Sequence, residues 1–106
     1  MVNEVPSRIR IRLYVTPSDQ GGRTAPVFDG YHGAFWWGEL DHSGLRCTYI
    51  ARLDLEGTAC AAPGEVAYAA LQPGSPEYWR QVAVGSRLDM CEGARTVGIA
   101  DVLEIL

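Results

Sequence analysis

The chain has 106 residues, a length that accommodates one ordinary domain with one hydrophobic core. Hydrophobic residues make up 47% and charged residues 21% of the sequence, which is the balance of a folded chain rather than a disordered one. All nine positive charges are arginines, so chemistry that depends on a phosphate-loop or Schiff-base lysine is excluded. The net charge of −4 disfavours nucleic-acid binding driven by overall charge, so any such binding needs a local basic patch.

The amino terminus carries scattered charges and no apolar run long enough for a secretory signal or a membrane span. We therefore expect a cytoplasmic protein with no membrane association. The three cysteines, Cys47, Cys60 and Cys91, include no CxxC pair, and we expect them to be small buried apolar residues. His32 and His42 fit no recognised ligand spacing, so neither a metal nor another cofactor is expected.

Residues 8–15 alternate between polar and apolar side chains, the pattern of a half-buried strand. One face is wholly apolar, and the other carries Arg8, Arg10 and Arg12, which we call the arginine stripe. Two interpretations of this stripe are open. It either follows a phosphate backbone or forms a solvated strand face whose charges are balanced by carboxylates on neighbouring strands.

An aromatic run follows a long glycine-containing loop and favours a second strand over residues 30–39. In that strand Phe35 and Trp37 share one face, which we expect to join the core. Trp36 points the other way. It is a candidate anchor for a protein partner, or a stacking platform for unpaired bases.

The rest of the chain contains short strand patterns separated by glycine, proline and turn residues. A turn is predicted at 41–44 and another at Gly93 and Ala94. No amphipathic helix is predicted, which indicates a closed antiparallel barrel or a sandwich. Further strands are predicted over residues 45–55, 66–71, 79–83, 87–92 and 96–106.

Three motifs stand out: DQGGRTAPVFDGY at residues 19–31, APGE at 62–65 and EGARTVG at 92–98. In this order they resemble the third, carboxy-terminal domain of bacterial elongation factor Tu. The resemblance covers residues 8–106 of a chain that we interpret as a single domain over 1–106. It implies an all-β fold, a small closed antiparallel, Greek-key-like β-barrel.

The resemblance also implies a non-enzymatic role, because that family hydrolyses GTP in a separate amino-terminal domain which is not found in this sequence. In the family, the third domain contacts the GTPase domain, the nucleotide-exchange factor and the T stem of aminoacyl-tRNA. Ser43 and Glu92 fall on tRNA-side positions of the family motifs. Three family cations are replaced, by His32, Gly38 and Glu104, and each replacement removes positive charge that tRNA phosphates would attract.

Three functions follow from these observations. The first is protein recognition, with a translation protein or a GTPase as the partner. The second is tRNA or RNA binding through the arginine stripe, and the third is a barrel that assembles with itself or completes a separate partner. The candidate binding residues are Arg8, Arg10, Arg12, Trp36, Ser43, Glu92 and Arg95.

Overall fold

Strands dominate residues 5–106, the part of the chain that the computed structural model describes. They are β1 (Ile9–Val15), β2 (Val27–Phe28), β3 (Tyr31–Trp36), β4 (Tyr49–Leu55), β5 (Cys60–Ala61), β6 (Val66–Pro73), β7 (Arg87–Glu92) and β8 (Arg95–Ile105). Six of them close a barrel in the order β1-β6-β4-β3-β7-β8, with antiparallel pairing throughout. The predicted all-β closed barrel is confirmed.

The core fills the barrel interior because side chains alternate along each strand. In β1, every second residue from Ile9 to Val15 has no solvent exposure. The predicted division of this strand into an apolar inner face and an arginine outer face is therefore confirmed. Phe35 of β3 is also fully buried, and Trp37 packs against the same core from just beyond the strand.

A loop over residues 37–48 replaces parts of two predicted strands. β3 ends at Trp36, and Gly38 has a φ of 111°, a backbone conformation that favours glycine and turns the chain away from the sheet. β4 begins at Tyr49, four residues later than the predicted start at 45. We call residues 37–48 the anchored loop, since side-chain contacts described below fasten it to the barrel.

The predicted strand over residues 79–83 is wrong. A 3₁₀ turn spans Pro76–Trp79, where the proline provides a helical φ at the start. The Val82 amide then donates a hydrogen bond to the Trp79 carbonyl at 3.0 Å. Trp79 and Val82 are both buried, and their spacing of three residues is typical of a helical turn rather than of a strand.

The two-stranded sheet of β2 and β5 lies outside the barrel order and was not predicted. Each strand has two residues, too few for a periodic pattern in the sequence. Val27 and Ala61 are paired in this sheet and belong to the main core cluster. The small sheet thus extends the core beyond the barrel.

The cysteine prediction holds for one residue of three. Cys91 is buried, whereas Cys47 and Cys60 are half-buried, because both lie near strand ends where the barrel does not enclose them. All three thiols are free. Across residues 5–106, none of the helical segments is long and apolar enough to cross a membrane.

Candidate interaction surface

Arg10 and Arg12 of the arginine stripe lie on the outer face of β1, Arg8 directly precedes the strand, and each of the three faces a carboxylate. The pairs are Arg8 with Asp54 at 4.0 Å, Arg10 with Glu56 at 3.0 Å and Arg12 with Asp101 at 4.0 Å. Arg10 uses both Nε and Nη2 toward Glu56, and this hydrogen bonding lowers the pKa of the Glu56 carboxyl. The carboxylates predicted for a solvated strand face are therefore present opposite the stripe.

Strand register brings these charges within reach of one another. Arg12 lies directly opposite Asp101 on β8, and Ala70 of β6 lies between Arg10 on one side and Asp54 on the other. The ion pairs across β6 run diagonally, from Arg8 to Asp54 and from Arg10 to Glu56, over the small alanine side chain. Ala70 is only 5% exposed although it points outward, so the charged side chains cover it.

Glu92 and Arg95 flank the β7–β8 turn, where Gly93 has a φ of 62°. Glu92 accepts hydrogen bonds from Arg23 and from the Tyr31 hydroxyl, the latter at 2.7 Å, and forms an ion pair with Arg95 at 3.5 Å. Burial opposes ionisation of Glu92, but these donors outweigh it and lower its pKa. Burial and the bond to Glu92 together raise the pKa of Tyr31 to about 12.

These contacts join two motifs that are 60 residues apart in the sequence. Arg23 also stacks over the Tyr31 ring, with its guanidinium carbon 5.0 Å from the ring centre. Arg23 and Tyr31 belong to the first motif and Glu92 to the last, so the two motifs form one polar cluster. The contact between the two motifs arises from the fold of the whole chain, and neither motif predicts it alone.

Trp36 is half-buried on the outer face of β3, opposite to the core-facing Phe35. Arg46 from the anchored loop covers its ring at 4.4 Å, and the indole N–H donates to the Glu39 carbonyl at 2.6 Å. The alternation predicted for the aromatic run is thus confirmed. Through these two contacts the Trp36 ring holds the anchored loop against the barrel.

Arg46 holds the anchored loop against β7 and β8. Besides covering Trp36, it donates to the Thr96 hydroxyl at 2.9 Å and lies 3.6 Å from the Asp89 carboxylate. Thr96 in turn donates to Asp89 at 2.9 Å, so the three polar groups form a connected network. The sequence did not single out Arg46, because its partners come from three different strands.

Ser43 lies in the turn at the tip of the anchored loop. The Asp41 carboxylate accepts hydrogen bonds from the Ser43 amide and hydroxyl and from the Leu45 amide, at 2.7–3.0 Å. The Ser43 hydroxyl bond and these amides lower the pKa of Asp41. This turn matches the predicted one, and its side-chain bonds stabilise a defined loop shape.

The anchored loop exposes two leucines. Leu40 is 55% and Leu45 is 65% exposed, although a backbone bridge pairs Leu40 with Arg46 and orders the loop between them. A groove of about 460 Å³ lies between this loop and the β7–β8 turn. Its lining residues are Gly44, Leu45, Arg46, Thr48, Gly93 and Ala94.

The predicted site residues therefore divide into two groups. Ser43 and Trp36 belong to or contact the anchored loop, and Glu92 and Arg95 flank the turn that lines its groove while themselves lining a separate pocket with Arg23. The arginine stripe runs along β1. Leu40 and Leu45 were missed because isolated exposed leucines are common. Their signal in the sequence is that they flank a turn motif, Asp41 to Gly44.

Within residues 5–106, no three His, Cys, Asp or Glu side chains are grouped closely enough to hold a metal ion. His32 and His42 are both exposed. No protein-family model matches the chain.

Proposed function

We propose that this chain is a non-enzymatic protein-recognition module, which binds a protein component of translation through the anchored loop and the adjacent groove. The observation that carries the proposal is the exposure of Leu40 and Leu45 on a loop that is already fastened to the barrel. Exposed apolar groups in a defined arrangement are typical of interaction sites.

The defined conformation of the anchored loop should strengthen its binding to a partner. A flexible loop loses conformational entropy when it binds, whereas Arg46 and Asp41 hold this loop in shape beforehand. The groove of about 460 Å³ beside Leu45 offers volume for side chains of a partner. Burial of the remaining exposed part of each leucine would contribute about 1–2 kcal/mol to binding before entropic costs.

The translation part of the proposal is supported by the motif resemblance. The first and last motifs meet through Arg23, Tyr31 and Glu92, next to the turn that lines the groove. The resemblance implies contacts with both proteins and tRNA, so it supports translation as the setting, and the exposed leucines favour a protein partner. The proposed partner is a translation protein, including a GTPase.

RNA binding is the weaker alternative because of charge. Phosphates would have to compete with the carboxylates that already face Arg8, Arg10 and Arg12. Glu92 adds a negative charge beside Arg95 at the other candidate site. Self-assembly through the leucines is a further outcome that the experiment has to separate.

The test is affinity capture from a lysate of the encoding organism, followed by identification of the captured proteins. We expect wild type to retain a translation protein and the double variant Leu40→Ser, Leu45→Ser to lose it. Val84→Ser is the matched control, because Val84 is also 65% exposed but lies in the loop that precedes β7. Equal capture by wild type and the double variant would contradict the proposed surface.

Two further measurements separate the alternatives. Fluorescence anisotropy with tRNA over a salt series would reveal binding that weakens steeply with salt if RNA is the partner. Light scattering at high concentration would reveal an oligomer if the chain assembles with itself. Either result, combined with no captured translation protein, would overturn the proposed function.

A further inference from the structure

An aromatic cleft opens beside the anchored loop, at the start of β4. Its volume is about 180 Å³, and Tyr49 and Tyr78 stack along it with ring centres 5.5 Å apart and planes inclined by 24°. Trp37 stacks on the other side of Tyr49 at 5.0 Å, so the aromatic rings continue from the surface into the core. The lining residues are Thr48, Tyr49, Ile50, Gly74, Ser75, Tyr78 and Trp79.

The outermost ring of this series is open to solvent. Tyr78 is 56% exposed, and Ile50, which also lines the cleft, is 51% exposed. The stack on Tyr49 fixes the ring of Tyr78, which costs a ligand less entropy than ordering a free side chain. A flat, electron-rich ring in a fixed position is a surface on which cations bind.

The surroundings of the cleft are negatively charged. The Tyr49 hydroxyl donates to Glu39 Oε2 at 3.1 Å, which brings this carboxylate next to the rings. Partial burial and the negative charges of Glu39 and Asp41 raise the pKa of the neighbouring Cys47 thiol. Both carboxylates are part of the anchored loop, so the same loop supplies the leucines and the negative field.

The buried Trp79 ring forms one wall of the cleft. It has no solvent exposure and packs against Trp37, with ring centres 4.9 Å apart. Its indole resonance therefore reports on ligands that bind to the rings above it.

We propose that the aromatic cleft binds an arginine side chain from a segment of the protein partner, with its guanidinium stacked on Tyr78 and facing Glu39. Arginine suits the site better than lysine because its planar guanidinium stacks on aromatic rings and is weakly hydrated. The inference rests on the proposed function, since it specifies the chemistry of the segment that the anchored loop receives.

The experiment titrates the full chain with the peptide Gly-Arg-Gly-Arg-Gly, acetylated and amidated at its ends. Aromatic NMR resonances of Tyr49 and Tyr78 and the indole resonance of Trp79 report binding. We expect these three residues to shift with the arginine peptide and not with the same peptide carrying citrulline, which is uncharged and nearly isosteric. Equal shifts with both peptides would overturn the proposal.

Three variants test the assigned contacts. Tyr78→Ala should weaken binding of the arginine peptide about two- to fivefold, whereas Tyr78→Phe, which keeps the ring, should bind as wild type does. Glu39→Gln should weaken binding about twofold. Glu104→Gln removes an acid on β8, which is opposite β4 in the barrel order, and should change nothing. Wild-type affinity in Tyr78→Ala would contradict the cleft as the site.

The two proposals fail in different ways. If the arginine peptide leaves the cleft unchanged while Leu40→Ser, Leu45→Ser abolishes capture, the protein-recognition function stands and the arginine site is wrong. If the peptide binds in the cleft but the leucine variant captures the same proteins as wild type, the anchored loop is not the recognition surface.

Discussion

The outer face of β1 and the anchored loop differ in how their polar groups are used. On β1, regular register places an acid near every arginine, so the charges satisfy one another within the barrel. In the anchored loop, polar groups such as Arg46 and Asp41 hold the backbone, and apolar side chains remain on the outside. The arginines of the stripe therefore have carboxylate partners within the barrel, whereas Leu40 and Leu45 of the anchored loop are exposed.

The physical reason is the geometry of the two regions. Neighbouring strands bring side chains of one face within reach of each other at every second residue, so charges on a sheet readily find partners. A loop has no neighbouring strand on its outer side, and residues at its tip point toward solvent.

Removal of Trp79 should give the largest effect, because it packs both Phe35 and Trp37 beneath the aromatic cleft. We expect Trp79→Ala to lower the free energy of unfolding by about 3–5 kcal/mol, measured by urea denaturation. The neighbouring Tyr78→Ala should cost much less, since its ring is mainly exposed. Equal losses in the two variants would mean that the exposed Tyr78 ring stabilises the fold as much as the buried Trp79 ring does.

Arg46→Met should lower the free energy of unfolding by about 1.5–3 kcal/mol, because it removes the charged hydrogen bond to Thr96 and the contacts with Asp89 and Trp36. It should also weaken partner capture, since the loop loses its order. Arg87→Met is the matched control, with one surface ion pair to Asp101. A loss as small as that of the control would show that the loop does not depend on Arg46.

Glu92→Gln should lower stability at neutral pH and have a decreasing effect in acid. The folded-state pKa of Glu92 is lower than its ordinary value, so its ionised form stabilises the fold above that ordinary value, and the contribution is lost as pH falls through the folded-state pKa. Chemical denaturation of both proteins over a pH series measures this. A stability difference that stays constant into acid would contradict the role of the Glu92 charge.

The polar cluster of Arg23, Tyr31 and Glu92 also predicts a tyrosine titration at alkaline pH. One tyrosine should titrate with a pKa of about 12 in wild type, as measured by tyrosinate absorbance, and this transition should disappear in Tyr31→Phe. In Glu92→Gln the transition should move only part of the way toward the ordinary value, because burial is the larger cause. A complete return would indicate that the hydrogen bond dominates.

The smallest effect should come from the arginine stripe. We expect the triple variant Arg8→Gln, Arg10→Gln, Arg12→Gln to change stability little, because exposed ion pairs contribute weakly. Its tRNA anisotropy at low salt should match that of wild type. If wild type binds tRNA and the triple variant binds it more weakly, the arginine stripe rather than the anchored loop would be the binding surface.

Much of the barrel was predictable because its strands show local signals. The period-two pattern of β1, the breakers around β6 and the Gly93–Ala94 turn identify elements without any tertiary information. The turn at Pro76–Trp79 was mistaken for the start of a strand, since a single tryptophan followed by mixed residues does not distinguish a strand from a turn. Within the anchored loop the turn at 41–44 was predicted, but the residues on either side of it were assigned to the flanking strands, because their apolar side chains resemble those of strands.

The strand faces, most of the turns and the all-β class follow from local patterns, because side-chain alternation and the φ preferences of glycine and proline are local properties. Contacts between distant residues depend instead on how the chain folds. Barrel closure brings Arg23 and Tyr31 to Glu92, pairs the stripe with acids and places Arg46 on Trp36. These contacts depend on which strands are neighbours, and the order β1-β6-β4-β3-β7-β8 is set by packing of the whole core rather than by any one segment.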